Sequence, residues 1–226
     1  MRRSRRYFLT VSTSTLGGLL VYTLDRKPGR VHAQAGPQSG AIKIPLRFFN
    51  EEEALAIASA AARIFPSDES GPGANEAGVV IYIDRQLAGP YGLDKHRYAK
   101  PPFVESIPEH GYQGKETPRE IYRAGIRQLG DFVALSAAER DERLRSIETT
   151  TFFRMLRQHT VEGMFSDPMH GGNADLVSWK MIGYPGPPLS YRDDIDKHFG
   201  QPWRPKPTSL RQLIGQATPV WEDEKE

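Results

Sequence analysis

Apolar positions along this chain of 226 residues recur mostly at helical spacing, and prolines and glycines punctuate them. Leu55, Ala58, Ala62 and Phe65 fall on one stripe. Asn50 and Glu53 open it as a capping box, Glu51, Glu52 and Glu53 suit the positive end of a helix dipole, and Pro66 closes it. Downstream, Ala77, Val80, Ile81, Asp84, Leu87 and Ala88 share a helical side ahead of Gly89-Pro90. The β-branched run at 79–83 also suits a strand, so the spacing favours a helix there without excluding the alternative. Thr117-Pro118-Arg119-Glu120 places a cap, a first-turn proline and a box-closing glutamate in order before Ile121, Tyr122, Gly125, Leu129 and Phe132. Ser136 and Glu139 repeat the device before Leu144 and Ile147. Thr151 opens a helix whose Phe152, Phe153, Leu156, Thr160 and Met164 share a face, and Asp167-Pro168 ends it. A shorter helix is predicted over 174–182, stopped by Gly183.

Two stretches break this pattern. Residues 91–116 hold Pro101, Pro102 and Pro108 with Gly92, Gly111 and Gly114, which predicts a long loop of the kind that is commonly functional or stretched over a partner. From Tyr184 onward prolines interleave with Tyr191, Phe199, Trp203 and Trp221, predicting an extended tail with at most a turn of helix near 210–214. Such a strip has no core of its own, so its aromatics either lie on the body of the protein or dock on another chain. No strand pattern alternates with the helices as a parallel sheet requires. The expectation is an all-α, mainly helical single domain over 46–186, with long Pro/Gly-rich loops and a tail over 187–226.

Charge divides the chain. The formal balance of +2 conceals a basic amino terminus, where Arg2, Arg3, Arg5, Arg6, Arg26, Lys27 and Arg30 face only Asp25. The remaining body is mildly acidic, which argues against nucleic acid as the main partner. Cysteine is absent, which excludes disulfides, thiolate metal sites, iron–sulfur clusters, covalently held haem c and a cysteine lipid anchor.

The basic start precedes an uncharged run over 10–24 and Ala33-Gln34-Ala35, the small-x-small pattern of a signal-peptidase site. Residues 1–35 are expected to be an export signal, with a linker over 36–45. The run is too short and polar for a membrane span. Ser4-Arg5-Arg6-Tyr7-Phe8-Leu9 resembles the twin-arginine consensus, with Arg5, Arg6, Phe8 and Leu9 as the positions a twin-arginine translocase reads. An ordinary Sec leader is the other reading, but the weakly apolar core suits the twin-arginine route better. That route carries folded cargo into the periplasm. A chain with no cofactor motif that uses it is best explained by a cofactor-loaded partner riding along.

The search for chemistry finds little. No dinucleotide or P-loop glycine pattern and no nucleophile elbow is present. His159 and Glu162 sit three apart on a predicted helix, and Asp167 and His170 follow. A metal site built from these four defines an alternative function, an independent periplasmic metalloprotein or hydrolase. The segment Asp167-Pro168-Met169-His170-Gly171-Gly172-Asn173 reads either as a tight turn between helices, with Asn173 capping the second, or as a backbone surface shaped for a partner with Trp179 nearby.

This segment, within 163–186, resembles the signature of the gluconate 2-dehydrogenase subunit 3 family, the small or gamma subunits of membrane-bound FAD-dependent sugar and sugar-acid dehydrogenases. Phe65-Pro66 and the helix opening at Thr117-Pro118 also fit, so the resemblance spans about 48–186. It implies a helical, cofactor-free and non-catalytic subunit bound to a large flavin subunit of the glucose-methanol-choline type, often with a multihaem cytochrome c as third partner. In such complexes the large subunit lacks its own signal and rides on the small one. The resemblance offers no catalytic residue. Asp167, Pro168, His170, Gly171, Gly172, Asn173, Trp179 and, in the tail, Trp203 are the candidate partner contacts. The substrate would be set by the partner, and an interaction module for some other exported enzyme is the third reading.

Overall fold

The computed structural model of the protein describes residues 21–22, 44–98, 100–103, 107–188, 190, 192, 194–195 and 197–217. The export-signal positions Arg5, Arg6, Phe8, Leu9, Ala33 and Ala35, and Trp221 in the tail, lie outside the described residues. Helices dominate: α1 is Glu51–Ile64, α2 Val79–Ala88, α3 Pro118–Leu129, α4 Ala137–Ser146, α5 Thr151–Phe165, α6 Val177–Ile182 and α7 Leu210–Ala217. One antiparallel pairing of two-residue strands, β1 (Val21–Tyr22) with β2 (Ile44–Pro45), is the only sheet among the described residues. The helical fold expected from the spacing is what forms.

The second helix explains its own ambiguity. Val79, Val80, Ile81, Tyr82, Ile83 and Asp84 are all buried, and a helix covered on every side loses the apolar-polar period that would announce it. In α1 the expected stripe is displaced. Of the expected residues Ala58 is buried, but Leu55, Ala62 and, just past the helix, Phe65 are only half-buried, whereas Ala54, Ala56, Ile57, Ala60 and Ala61 are buried. Alanine lets neighbouring backbones approach closely, so the deepest face of α1 is mostly alanine around the fully buried Ile57.

The contacts group the chain into two compact units, Met1–Ala60 with Ile83–Arg154, and Ala61–Tyr82 with Met155–Glu226. In the first unit, Asp84 is buried on α2 and accepts the backbone N–H groups of Arg47, Phe48 and Phe49 at 2.8, 3.0 and 2.9 Å. Three donors on one carboxylate fix the chain just before α1, whose predicted Asn50–Glu53 box is present in both directions. The boxes Thr117–Glu120 and Ser136–Glu139 also form as expected. Arginines from later helices then close earlier ones. Arg119 donates to the Leu87 and Ala88 carbonyls at the end of α2, and Arg143 to Gln128 and Leu129 at the end of α3, where backbone acceptors have no helical partner. In the core of this unit Tyr122 meets Phe152 edge to face, centroids 5.4 Å apart at 89°, and Phe49 at a tilt of 51° and 6.1 Å.

In the second unit, Phe65 and Phe165 meet at 6.0 Å, and the Phe65 carbonyl beyond α1 accepts from Ala74 at 2.9 Å. The tail differs from expectation at its far end, where α7 is an eight-residue helix rather than a single turn. Its N-terminus is capped both by a local Ser209–Gln212 box and by the Asp167 carboxylate. The predicted helix over 174–182 is also shorter. A 3-10 turn, Ala174–Leu176, precedes α6, and Asp175 and Leu176 hold left-handed angles (φ 54° and 59°) that an α-helix does not accommodate.

Candidate partner-binding site

Helix α5 ends at Phe165, which leaves the last carbonyls of that helix without intrahelical donors. The following segment supplies them. The Asn173 N–H donates to the Gly163 carbonyl at 2.8 Å, Asn173 Nδ2 to Ser166 O at 3.0 Å, and Trp179 Nε1 to Phe165 O at 2.8 Å. Asn173 Oδ1 in turn accepts the Ser178 N–H of α6 at 3.0 Å. One amide side chain therefore ends α5 and begins α6. The predicted capping role of Asn173 is real but falls on α6 rather than on the 3-10 turn that directly follows it.

The glycines make this closure possible. Gly171 sits at φ 107°, closed to residues with a side chain. At Gly172 any Cβ would overlap the backbone of Gly163. Gly163 itself lies against Tyr82 and Val79, with about 3.2 Å to a Cβ built there. A glycine inside an apolar helix was the sequence signal for this close approach, and periodicity alone passes over it.

Asp167 bonds in two directions. Its Oδ1 accepts the Met169 N–H at 2.9 Å and caps the turn Pro168–His170. Its Oδ2 accepts the Leu210 N–H at 2.6 Å, so the same carboxylate caps α7 in the tail. Thr208 N–H to Pro185 O at 3.0 Å closes the tail against the segment a second time.

The eight candidate contacts thus separate by exposure. Asn173 and Trp179 are buried, Gly172 is buried, and Asp167, Pro168 and Gly171 are half-covered, while His170 is exposed. Trp203 in the tail is exposed and stacks on His198 with centroids 5.2 Å apart at 26°. Met169, Val161 and Ile182, which the spacing did not single out, are exposed, as is Tyr184 at the start of the aromatic tail. Trp179 meets Tyr184 edge to face at 4.9 Å.

The four candidate metal ligands do not converge. His159 is buried, and burial holds its imidazole down to about 4, with the Glu162 carboxylate opposing that shift. Glu162 instead accepts from Tyr82 Oη at 3.0 Å and Gln158 Nε2 at 2.7 Å. Asp167 is spent on two caps and His170 faces solvent. Among the described residues no three His, Cys, Asp or Glu side chains stand where they could hold a metal ion.

A family model described as gluconate 2-dehydrogenase subunit 3 matches residues 51–186, the stretch from the start of α1 to just beyond α6. No curated protein and no solved structure matches the chain.

Proposed function

Because the chain belongs to the gluconate 2-dehydrogenase subunit 3 family, we propose that it is the non-catalytic small subunit of a periplasmic, membrane-associated, FAD-dependent sugar or sugar-acid dehydrogenase. In this reading it escorts the flavin-bearing large subunit through the twin-arginine translocase and stabilises it afterwards. The observation that carries the reading is the family match over 51–186. The twin-arginine pattern at Arg5, Arg6, Phe8 and Leu9 supports the export step, because that route transports cargo already folded.

Oxidation of the sugar is assigned to the flavin of the partner, and onward electron transfer to a cytochrome c subunit where the complex has one. This chain's part is to bind. Pro168, Met169 and His170 form the outer side of the glycine segment, and Asp167, Gly171, Gly172, Asn173 and Trp179 hold that side in shape from within. Exposed Met169 with Ile182 and Tyr184 supplies the apolar area a stable protein contact needs.

The test is to tag the carboxyl terminus, extract the protein gently from membranes and record the visible spectrum of what co-purifies. A large partner with a flavin spectrum supports the reading, haem bands add the cytochrome, and a lone colourless chain overturns it. Replacing Arg5 and Arg6 by lysine should strand both this chain and the flavoprotein in the cytoplasm; normal export of the flavoprotein would refute the escort role.

A further inference from the structure

We propose that residues 197–214 of the tail form a lipid-binding strip that holds this chain against an anionic membrane surface. The strip carries Lys197, Arg204, Lys206 and Arg211, all exposed, and no aspartate or glutamate lies between Lys197 and Ala217. Large apolar side chains stand among these cations. Phe199 is 88% exposed, Trp203 is 38% exposed, and Ile214 is exposed one turn after Arg211 on α7. Asp194, the nearest described carboxylate upstream, lies 3.5 Å from His198 and outside the strip.

This combination matches an interface between water and lipid better than a protein partner. Cores of protein interfaces are depleted in lysine, whereas this strip sets aromatic rings among four exposed cations, with Asp194 at His198 and Asp167 at the Leu210 N–H as the carboxylates beside it. Aromatic rings settle at the headgroup level, and clustered Lys and Arg are drawn to anionic lipid. Pro202, Pro205 and Pro207 cannot donate backbone hydrogen bonds and keep this part of the chain extended. No helix among the described residues is long and apolar enough to cross a membrane, so the contact lies in the interfacial plane. The strip is also tethered where it returns to the second unit, through Thr208 to Pro185 and Leu210 to Asp167. Lipid attraction at the strip is thereby passed to the folded unit.

The inference goes beyond the escort reading and does not depend on it, because it is tested on the full chain alone. The chain is sedimented with vesicles of phosphatidylcholine containing phosphatidylglycerol, and with phosphatidylcholine alone. Binding should favour the anionic vesicles and weaken as salt is raised. Each of Lys197→Gln, Arg204→Gln, Lys206→Gln and Arg211→Gln should weaken it by about fivefold, and Phe199→Ser with Trp203→Ser should weaken it further at unchanged helical circular dichroism. The basic leader is common to parent and variants, so the difference between them reads the tail. Equal binding by the parent and a variant that combines the four Gln substitutions, or no preference for anionic vesicles, overturns the proposal. So does a Phe199→Ser, Trp203→Ser chain that keeps vesicle binding but loses the large co-purifying partner, since that assigns the strip to a protein.

Discussion

The glycine segment at 167–179 and the tail strip at 197–214 belong to one unit and use their chemistry in opposite ways. In the segment, the polar side chain of Asn173 and the indole N–H of Trp179 are turned inward onto the end of α5, and the backbone accepts left-handed angles at Asn173, Asp175 and Leu176 to put them there. Such angles cost about 1–3 kcal/mol each and persist only where surrounding bonds over-determine them. In the strip, Phe199 and Trp203 are exposed, and three prolines remove backbone donors that a packed fold would have to satisfy. The buried residues of what looks like a recognition motif, Asn173 and Trp179, therefore act as scaffold, whereas the aromatics of what looks like a loose end are exposed.

If the segment is scaffold, the largest effect belongs to Asn173. Asn173→Ala removes two side-chain hydrogen bonds, leaves the Ser166 carbonyl and the buried Ser178 N–H unsatisfied, and places alanine at φ 46°. Each orphaned group costs about 1–3 kcal/mol, so the loss should be about 3–4 kcal/mol in urea unfolding at unchanged slope. A loss under about 1 kcal/mol would erase the contrast with the tail.

The next effect is one of pH. His159 is neutral in the interior and takes a proton only near 4, against an ordinary value of 6.5 in the unfolded chain. Between those values the unfolded chain binds more protons, so stability falls as the pH is lowered through that window. The full shift corresponds to about 3 kcal/mol. His159→Gln should flatten this part of the profile, and denaturation midpoints at pH 7 and pH 4.5 read it directly. An unchanged slope in the variant would place the acid sensitivity elsewhere.

A smaller effect is expected at Trp179. Trp179→Phe keeps the edge-to-face contact with Tyr184 but deletes the donor to Phe165 O, for about 1–2 kcal/mol. Thermal midpoints of the two proteins compare it, and a neutral result would mean that water replaces the indole at the end of α5.

These sites also mark how far the sequence could be read. Capping boxes at Asn50, Thr117 and Ser136 are local, four residues long, and formed as expected. Of the deepest face of α1 only Ala58 was read, because burial there mostly follows alanine and close approach, which hydrophobicity does not rank. The break before α6 was missed for a different reason: left-handed Asp175 and Leu176 are imposed by hydrogen bonds from Asn173 that reach back ten residues to Gly163 and forward five to Ser178. Helix α7 is opened by a Ser209–Gln212 box, a local signal the tail's prolines obscured, and is capped again by Asp167, distant in sequence. The sequence resemblance located the glycine segment, but which of its residues face outward required the bonds that turn Asn173 and Trp179 inward.

The smallest effect on stability belongs to the tail, where it is the most discriminating. Phe199→Ser with Trp203→Ser removes one side chain that faces water and one that is 38% exposed, so the unfolding free energy should move by no more than about 1 kcal/mol. Trp203 loses its stacking on His198, a contact at a surface where rings gain little from one another. If the double variant instead lost 2 kcal/mol or more, a scale reserved for packed side chains, the tail would be part of the core and its aromatics would no longer be a surface. A stable variant that no longer reaches the membrane would separate the two regions cleanly, with 167–179 holding the fold and 197–214 giving it a place to act.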